Sequence, residues 1–233
     1  MLAPGGQLPI TLQAPRGGTR DRNYSGAEMK KIDEALTQLS DVIGGPDFDF
    51  RPRWDGPNRV VWDMVSGTEA QPRLASPIEH VWEVSAEWSP MSDVTVEIDP
   101  STMGSASWAL AGRGDDLVLC GYAWDPYLVQ AGFPLMDIVD TSHTTVTRQD
   151  TIDGYARAGI LKAAKLPEFW DFSVQKSVSP RLDEYRVGDY CVLNVDRGRY
   201  LPGEPVRRRI LTLAGEAGSE WVKITTGMDY SDG

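Results

Sequence analysis

Cysteine and histidine are scarce in this chain, and each shortage excludes a class of chemistry. Two cysteines in 233 residues, Cys120 and Cys191, cannot build a disulfide framework or complete a zinc site by themselves. Two histidines, His80 and His143, leave little material for metal binding or proton transfer. Long hydrophobic runs are missing too. None approaches the ~18 residues of a membrane-spanning helix, and the first residues lack the apolar core of a signal peptide. The expectation is a chain folded in a reducing compartment. Basic residues are outnumbered, 23 Lys and Arg against 34 Asp and Glu, for a formal net charge of −11. Phosphate backbones and anionic membranes repel such a chain, which argues against nucleic acid as the primary ligand. What is present is a 41% apolar fraction with eight tryptophans. At this length roughly 70% of the unfolded surface can be buried, enough for one large domain or two small ones.

Residues 1–24 read as an extended arm. Pro4, Gly5, Gly6, Pro9, Pro15, Gly17 and Gly18 break any periodic pattern. Only Leu8, Ile10 and Leu12 alternate as a short strand does, and Arg16, Arg20 and Arg22 form the one locally basic stretch. The arm is either a solvated tail or a strand that adds to the sheet edge of a neighbouring subunit. Ordering it costs roughly 1–2 kcal/mol per backbone residue, so the second reading has it ordered only in an assembled particle.

Residues 25–166 read as an α+β domain. Ser25 and Glu28 have capping-box spacing, and Met29, Ile32, Leu36, Leu39 and Ile43 then form one stripe of a helix of about 17 residues. Gly44 and Gly45 supply a left-handed stop and Pro46 prevents continuation. From Asp47 the period becomes two. Phe48 and Phe50 alternate with Asp47, Asp49, Arg51 and Arg53; after a turn at residues 55–58, Val60, Trp62 and Met64 return as the second arm of a hairpin. Ile78, His80, Trp82, Val84, Ala86 and Trp88 share one face of the next strand, so His80 is expected as a packed core histidine. Val94, Val96 and Ile98 give another strand. Residues 101–116 read as a loop around a short strand near Trp108, Leu117 to Gly121 as a strand edge, and 124–131 as a short helix stopped by Gly132 and Pro134. Residues 144–147 look extended. Asp150 or Thr151 caps a second helix whose stripe Ile152, Ala156, Gly159 and Ala163 is small enough for close packing on a sheet.

Residues 167–233 read as β throughout. Trp170, Phe172, Val174 and Val178 alternate, Gly188-Asp189 turns into Tyr190, Val192 and Asn194, and a hairpin closes around residues 215–218. Five short strands punctuated by Gly and Pro suggest a small closed or half-closed barrel. The fold class is therefore α+β, mainly β: two helices packed on antiparallel sheets, followed by a C-terminal barrel-like domain.

A search for chemistry returns little. Asp140, Ser142 and His143 are too close in sequence to converge as a catalytic trio, because neighbours in a strand point to opposite faces. Asp47 and Asp49 share a strand face and could act as the carboxylate pair of a glycoside hydrolase, although Asp and Arg alternating opposite aromatics also describes a solvated strand face. Residues 113–116, Arg-Gly-Asp-Asp, lack calcium-ligand spacing. Cys120 and Cys191 read as buried apolar residues, and Arg207-Arg208-Arg209 as a salt-bridged strand entry. Exposed tryptophans could stack on sugars, but most of the eight fall on alternating core faces, which favours packing. No cofactor, metal ligand or catalytic residue is identified.

The order of several short motifs adds a resemblance. The helix end from Leu36 to Val42, followed by Gly45-Pro46-Asp47-Phe48-Asp49-Phe50-Arg51-Pro52, resembles the minor tail proteins of siphophages infecting actinobacteria. Met103-Gly104-Ser105 through Asp115, Ala131-Gly132-Phe133-Pro134-Leu135, the helix opening at Thr151-Ile152, and Ser179-Pro180 through Gly188-Asp189 resemble further family segments in the same order. The resemblance covers residues 20 to 230 and implies a hub (baseplate hub) at the tail tip. It also implies a homo-oligomer, expected as a trimer, that contacts other tail-tip proteins such as the distal tail ring and the tape measure. Such a protein folds in the host cytoplasm, ends in the virion, and carries no enzymatic activity. Family members have a substantial segment before the helix near Ser25. The expectation is that here it is a separate protein or that this hub is shorter. The alternatives from the residues are a cell-wall hydrolase acting through Asp47 and Asp49, and a carbohydrate-binding module.

Overall fold

The structure is a computed structural model, and it describes residues 8–17, 24, 29–41, 44–83, 89–112, 119–144, 146–195 and 203–228. The described residues are mainly β, with few helices. It divides into two units, 1–74 and 75–233.

In the first unit the hairpin forms as its alternation requires. Strands β2 (Phe48–Trp54) and β3 (Val60–Ser66) pair antiparallel from Phe48↔Ser66 to Trp54↔Val60, and Gly56 takes φ +86° in the turn. The short strand β1 (Ile10–Thr11) lies parallel to β3, with Ile10 opposite Trp62. Part of the expected arm therefore pairs with its own chain. Pro9 O accepts from Trp62 N at 2.8 Å, Arg16 Nη1 donates to Ser66 O at 3.2 Å, and Gln13 Oε1 accepts from Ser66 N at 3.3 Å. Leu8 and Leu12 stay exposed. Arg20 and Arg22 lie outside the described residues, as do Ser25, Glu28 and Ile43 of the expected first helix.

That helix is shorter than its stripe. Helix α1 is Ile32–Ser40, nine residues, and Ile32 is exposed while Leu36 and Leu39 are half-buried. Met29 has φ +43° and Lys31 is extended, so the helix cannot run through residues 29–31. Charge selects the later start: Asp33 and Glu34 occupy the first turn of α1, whereas Lys30 and Lys31 inside the helix N-terminus would oppose its dipole. Gly44 takes the expected left-handed φ, +68°. A Cβ on Gly45 would stand 2.4 Å from Ser40 O and 2.6 Å from Leu39 O, so only glycine lets the chain pass the helix end here.

In the second unit a six-stranded sheet runs β4-β10-β11-β12-β9-β5. Its strands are β4 (His80–Glu83), β5 (Met91–Ile98), β9 (Glu168–Gln175), β10 (Tyr190–Asn194), β11 (Val206–Gly215) and β12 (Trp221–Gly227). The expected barrel-like region 167–233 is thus completed by two strands from upstream of residue 167. One face carries the main core: Trp82 packs edge-on against Tyr185 (ring centroids 5.2 Å, 84°) and tilted against Phe172 (5.6 Å), with Val174, Leu193, Ile210 and Ile224 filling in. The alternation of β9 places Trp170, Phe172 and Val174 inside as expected, but Val178 lies beyond the strand and is exposed. In β10 the buried residues are Cys191 and Leu193, not Tyr190, Val192 and Asn194. The reason is register: Cys191 pairs with His80 and Leu193 with Trp82, and paired residues share a face. His80 is buried, as expected of a core histidine. Val84, Ala86, Trp88 and Leu117 lie outside the described residues.

A second sheet of this unit runs β7-β6-β8, from β6 (Ala106–Ala111), β7 (Leu119–Trp124) and β8 (Asp137–Asp140). The short strand expected near Trp108 is β6, spanning Ala106–Ala111, and Asp137–Asp140, not singled out in the sequence, is a further strand. The short helix α2 (Tyr127–Gln130) ends at Gly132, φ +92°. Helix α3 (Gln149–Ala163) begins at Arg148 with no side-chain cap, so neither Asp150 nor Thr151 caps it. Its packed residues include Ile152, Ala156 and Ala163, as the small-residue stripe requires. The fit is close: a Cβ on Gly121 would meet Ile152 O at 2.4 Å, and one on Gly159 would meet Ser107 Oγ at 2.4 Å. Among the described residues no helix is long and apolar enough to cross a membrane.

All three sheets share a device. Each is antiparallel except for one edge strand, β1, β4 or β8, which joins in parallel. A parallel partner cannot arrive by a tight turn, so each of these edges is closed by chain from elsewhere.

The packing of α3 on its sheet yields a paired expectation. Gly121→Ala forces a methyl group into backbone and should cost about 1–3 kcal/mol. Gly154→Ala, in the same helix system but with nothing within 4 Å of the new Cβ, should stabilise by about 0.5–1 kcal/mol. Urea melts of both variants check this; equal effects would mean that α3 does not rest on Gly121.

Candidate functional site

Among the described residues, Asp47, Asp49, Asp140, Asp189 and Arg207–Arg209 are each held by partners within the chain. Asp47 and Asp49 each hold partners of their own. Asp47 Oδ1 takes Arg73 Nη1 at 2.9 Å and Oδ2 takes Leu74 N at 2.9 Å, while Asp49 Oδ2 takes Arg51 Nε at 2.9 Å. The backbone of Asp47 is engaged as well, donating to Pro72 O and accepting from Gly67 N, and Pro46 O accepts from Ser40 Oγ at 2.8 Å. Gly45-Pro46-Asp47 is thus a junction that ties the end of α1, the hairpin base and the segment 67–74. Phe48, Phe50, Arg51 and Pro52 are the strand that leaves it.

Gly188 and Asp189 form the corresponding junction of the six-stranded sheet. Gly188 takes φ +96°, its amide donates to Ile210 O, and Asp189 O accepts from Ile210 N at 2.9 Å. The buried Asp189 carboxylate accepts from Ser76 N at 2.7 Å and Arg186 N at 2.8 Å, with His80 Nε2 at 3.6 Å from Oδ2. Gly132 closes α2, with Phe133 N donating to Leu128 O, and Pro134 follows on the surface. The motif residues are turn and junction residues.

Asp140, Ser142 and His143 do approach one another, but not as a catalytic relay. His143 Nε2 lies 2.9 Å from Asp140 Oδ2, the Ser142 amide donates to Asp140 Oδ1, and the His143 ring stacks on Tyr155 of α3 at 3.6 Å and 20°. Ser142 serves the carboxylate, and the imidazole is buried against a phenol ring. Burial pushes Asp140 up. The bonds from Ser142 and the nearby His143 outweigh that and hold it below its usual 3.8. Burial raises the Tyr185 phenol to about 12, and it also takes the Cys191 thiol to about 12, so neither is a nucleophile at neutral pH. Cys120, expected as buried, is exposed at the strand edge β7. The arginine run is salt-bridged as expected: Arg207 reaches Glu79 at 2.5 Å and lies 3.8 Å over the Tyr190 ring, Arg208 reaches Glu168 at 2.5 Å, and Arg209 donates to Gly188 O. Residues 113–116 lie outside the described residues. Among the described residues no group of three His, Cys, Asp or Glu is placed to hold a metal ion.

What remains open is aromatic surface. Of the seven tryptophans described, only Trp82 and Trp170 are buried; Trp54, Trp62, Trp108, Trp124 and Trp221 are exposed, against the expectation that most pack in cores. They gather on two sheet faces. On the hairpin sheet, register places Phe48, Phe50, Pro52, Trp54, Val60, Trp62 and Met64 on one side, with Ile10 of β1 beside Trp62. Trp54 is 71% exposed. On the β7-β6-β8 sheet, the side opposite α3 carries Trp108, Tyr122 and Val139 in one row and Trp124 in the next. Tyr122 is 50% and Trp124 53% exposed, and the Trp108 and Tyr122 rings lie 4.4 Å apart. Alternation identified these residues, but it does not say which side of a sheet is covered.

No family model and no curated protein matches this sequence. Solved structures do match its fold. The tail protein from Neisseria meningitidis MC58 matches over 96% of this chain and 63% of its own, at 14% identity and a TM-score of 0.53. The 43 kDa tail protein of prophage MuSo2 from Shewanella oneidensis matches over 94% of this chain and 61% of its own, at 9% identity and a TM-score of 0.53. The chain thus shares the fold of phage tail proteins and spans about three-fifths of the length of those structures.

The Asp140 cluster sets a pH dependence. A carboxylate held below its unfolded value of 3.8 contributes stability that is complete above that pH and is lost as pH falls through the lower folded value. The stability gap between the native chain and Asp140→Asn should be widest near neutrality and shrink on acidification below 3.8. Urea midpoints across the acid range measure it; a gap that widens with acid would refute the assignment.

Proposed function

We propose that the chain is a structural protein of a phage tail, working by assembly and not by catalysis. The observation that carries this reading is a fold shared over nearly the whole chain with two tail proteins. Fold alone does not fix function. The second support is that Asp47, Asp140, Asp189, His80 and His143, the acids and imidazoles singled out by the sequence, are held in turns, junctions and buried pairs. Within that role, the motif resemblance favours the tail-tip hub: a homo-oligomer around the tail axis, expected as a trimer, docking a distal tail ring and the tape measure and supporting host attachment. The division 1–24, 25–166 and 167–233, read from the sequence pattern, is carried as part of this proposal. The protein would fold in the host cytoplasm and reside in the virion.

The experiment is localisation. Gold-labelled antibody against the purified chain should decorate one end of the tail, distal to the head, in electron micrographs of intact particles. Labelling of heads, or none, overturns the reading. The hydrolase alternative has its own check: the chain should not turn over purified cell wall, and activity that vanishes in an Asp47→Asn, Asp49→Asn double variant would establish the enzyme instead.

A further inference from the structure

Two exposed aromatic faces on one chain call for an occupant, and we infer that each is covered by the other on a second copy: the hairpin-sheet face around Trp54 and Trp62 of one copy packs on the β7-β6-β8 face around Trp108, Tyr122 and Trp124 of the next. The inference deepens the assembly reading above and rests on it.

Size is the first argument. Strand β2 has seven residues and β6 has six, so the two faces run about 24 Å and about 20 Å along these strands, each flanked on one side by a shorter edge strand, β1 of two residues or β8 of four. Faces of such similar outline pack as the two layers of a sandwich do, about 10 Å apart with interleaved side chains.

Chemistry is the second. The hairpin face offers Ile10, Phe48, Phe50, Pro52, Trp54, Val60, Trp62 and Met64, and its polar member, Ser66, is held by Gln13. On the other face the Trp108 indole already donates to Asp137 Oδ1 at 3.1 Å. A glycan would find rings to stack on but few free groups for its hydroxyls, and unpaired hydroxyls are costly to bury. An apolar protein face stacks on those rings and leaves the Trp108–Asp137 bond in place, with Asp137 on the edge strand β8.

Charge is the third, and it selects the pairing. Residues 75–233 hold twenty-four acidic against fourteen basic residues, whereas residues 1–74 hold ten against nine. Joining two β7-β6-β8 faces would bring together two units of like net negative charge, each with Asp137 on the face itself. Joining that face to the nearly neutral hairpin of another copy avoids the repulsion. The contact is therefore heterologous, and a heterologous contact propagates into a closed ring or a filament.

The test uses the full chain. Trp54→Glu damages one face and Tyr122→Glu the other; both side chains are exposed, and circular dichroism confirms that the variants fold. Should either fail to fold, Trp54→Ser and Trp124→Ser replace them. In sedimentation velocity the native chain should self-associate, and each variant alone should associate at least about 30-fold more weakly, the loss expected at an interface hot spot. Mixing the two should restore a one-to-one pair, because each keeps the face that the other lacks, and that pair should not grow further.

A mixture that stays monomeric overturns the pairing. A variant that assembles like the native chain overturns the choice of faces while leaving the assembly reading intact. A native chain that is monomeric at all concentrations overturns both. Retention of the native chain on insoluble cell wall, lost in Tyr122→Glu, would make that face a glycan platform and also overturn the inference.

Discussion

Asp189 sets a carboxylate 95% out of water, where an unanswered charge would cost several kcal/mol. The six-stranded sheet is arranged around the answer. The Ser76 amide comes from the segment entering β4, the Arg186 amide from the turn entering β10, and the imidazole that faces the carboxylate is His80, the first residue of β4. Satisfying one acid therefore fixes where β4 meets β10, and that register in turn decides that Cys191 and Leu193 face inward beside His80 and Trp82. The aromatic core of Trp82, Tyr185 and Phe172 forms on the side so chosen.

Glycine and alanine do for the smaller sheet what the carboxylate does for the larger one. Gly121 and Gly159 remove the side chains that would hold α3 away, and Ala109, Ala111, Ala156 and Ala163 are buried at the same seam. Because one face of the sheet is closed by a helix at backbone distance, its bulky residues can point only the other way. Trp108, Tyr122 and Trp124 are exposed as a direct result.

Much of this was legible in the sequence, for local reasons. Strand β9 announces itself because Trp170, Phe172 and Val174 alternate with polar residues, and the hairpin because two alternating runs flank Asp-Gly-Pro-Asn. The misreadings also have physical causes. Strand β6 was legible only as a short piece near Trp108, because Ala-Ser-Trp-Ala-Leu-Ala carries little strand propensity and tertiary packing against α3 decides its extent. The start of α1 depends on a left-handed Met29, which no spacing reveals. The exposed tryptophans depend on which layer covers which sheet, and β10 on a partner strand far away in sequence. The junction roles of Asp47 and Asp189 were missed because their partners, Arg73 and Ser76, carry no motif.

The parallel edge strands also bear on synthesis. Strand β4 finds its place only beside β10, and the bond between Glu83 and Asn194 joins residues 111 apart. At about 5–20 residues per second, a ribosome delivers β10 roughly 5–20 seconds after β4. Throughout that interval Trp82 has neither its sheet nor its core, and an unpaired strand edge with an uncovered tryptophan invites pairing with the wrong chain. The nascent protein is therefore most vulnerable in the middle of its own translation, and a host chaperone that shields residues around Trp82 during those seconds would raise the yield of folded subunit.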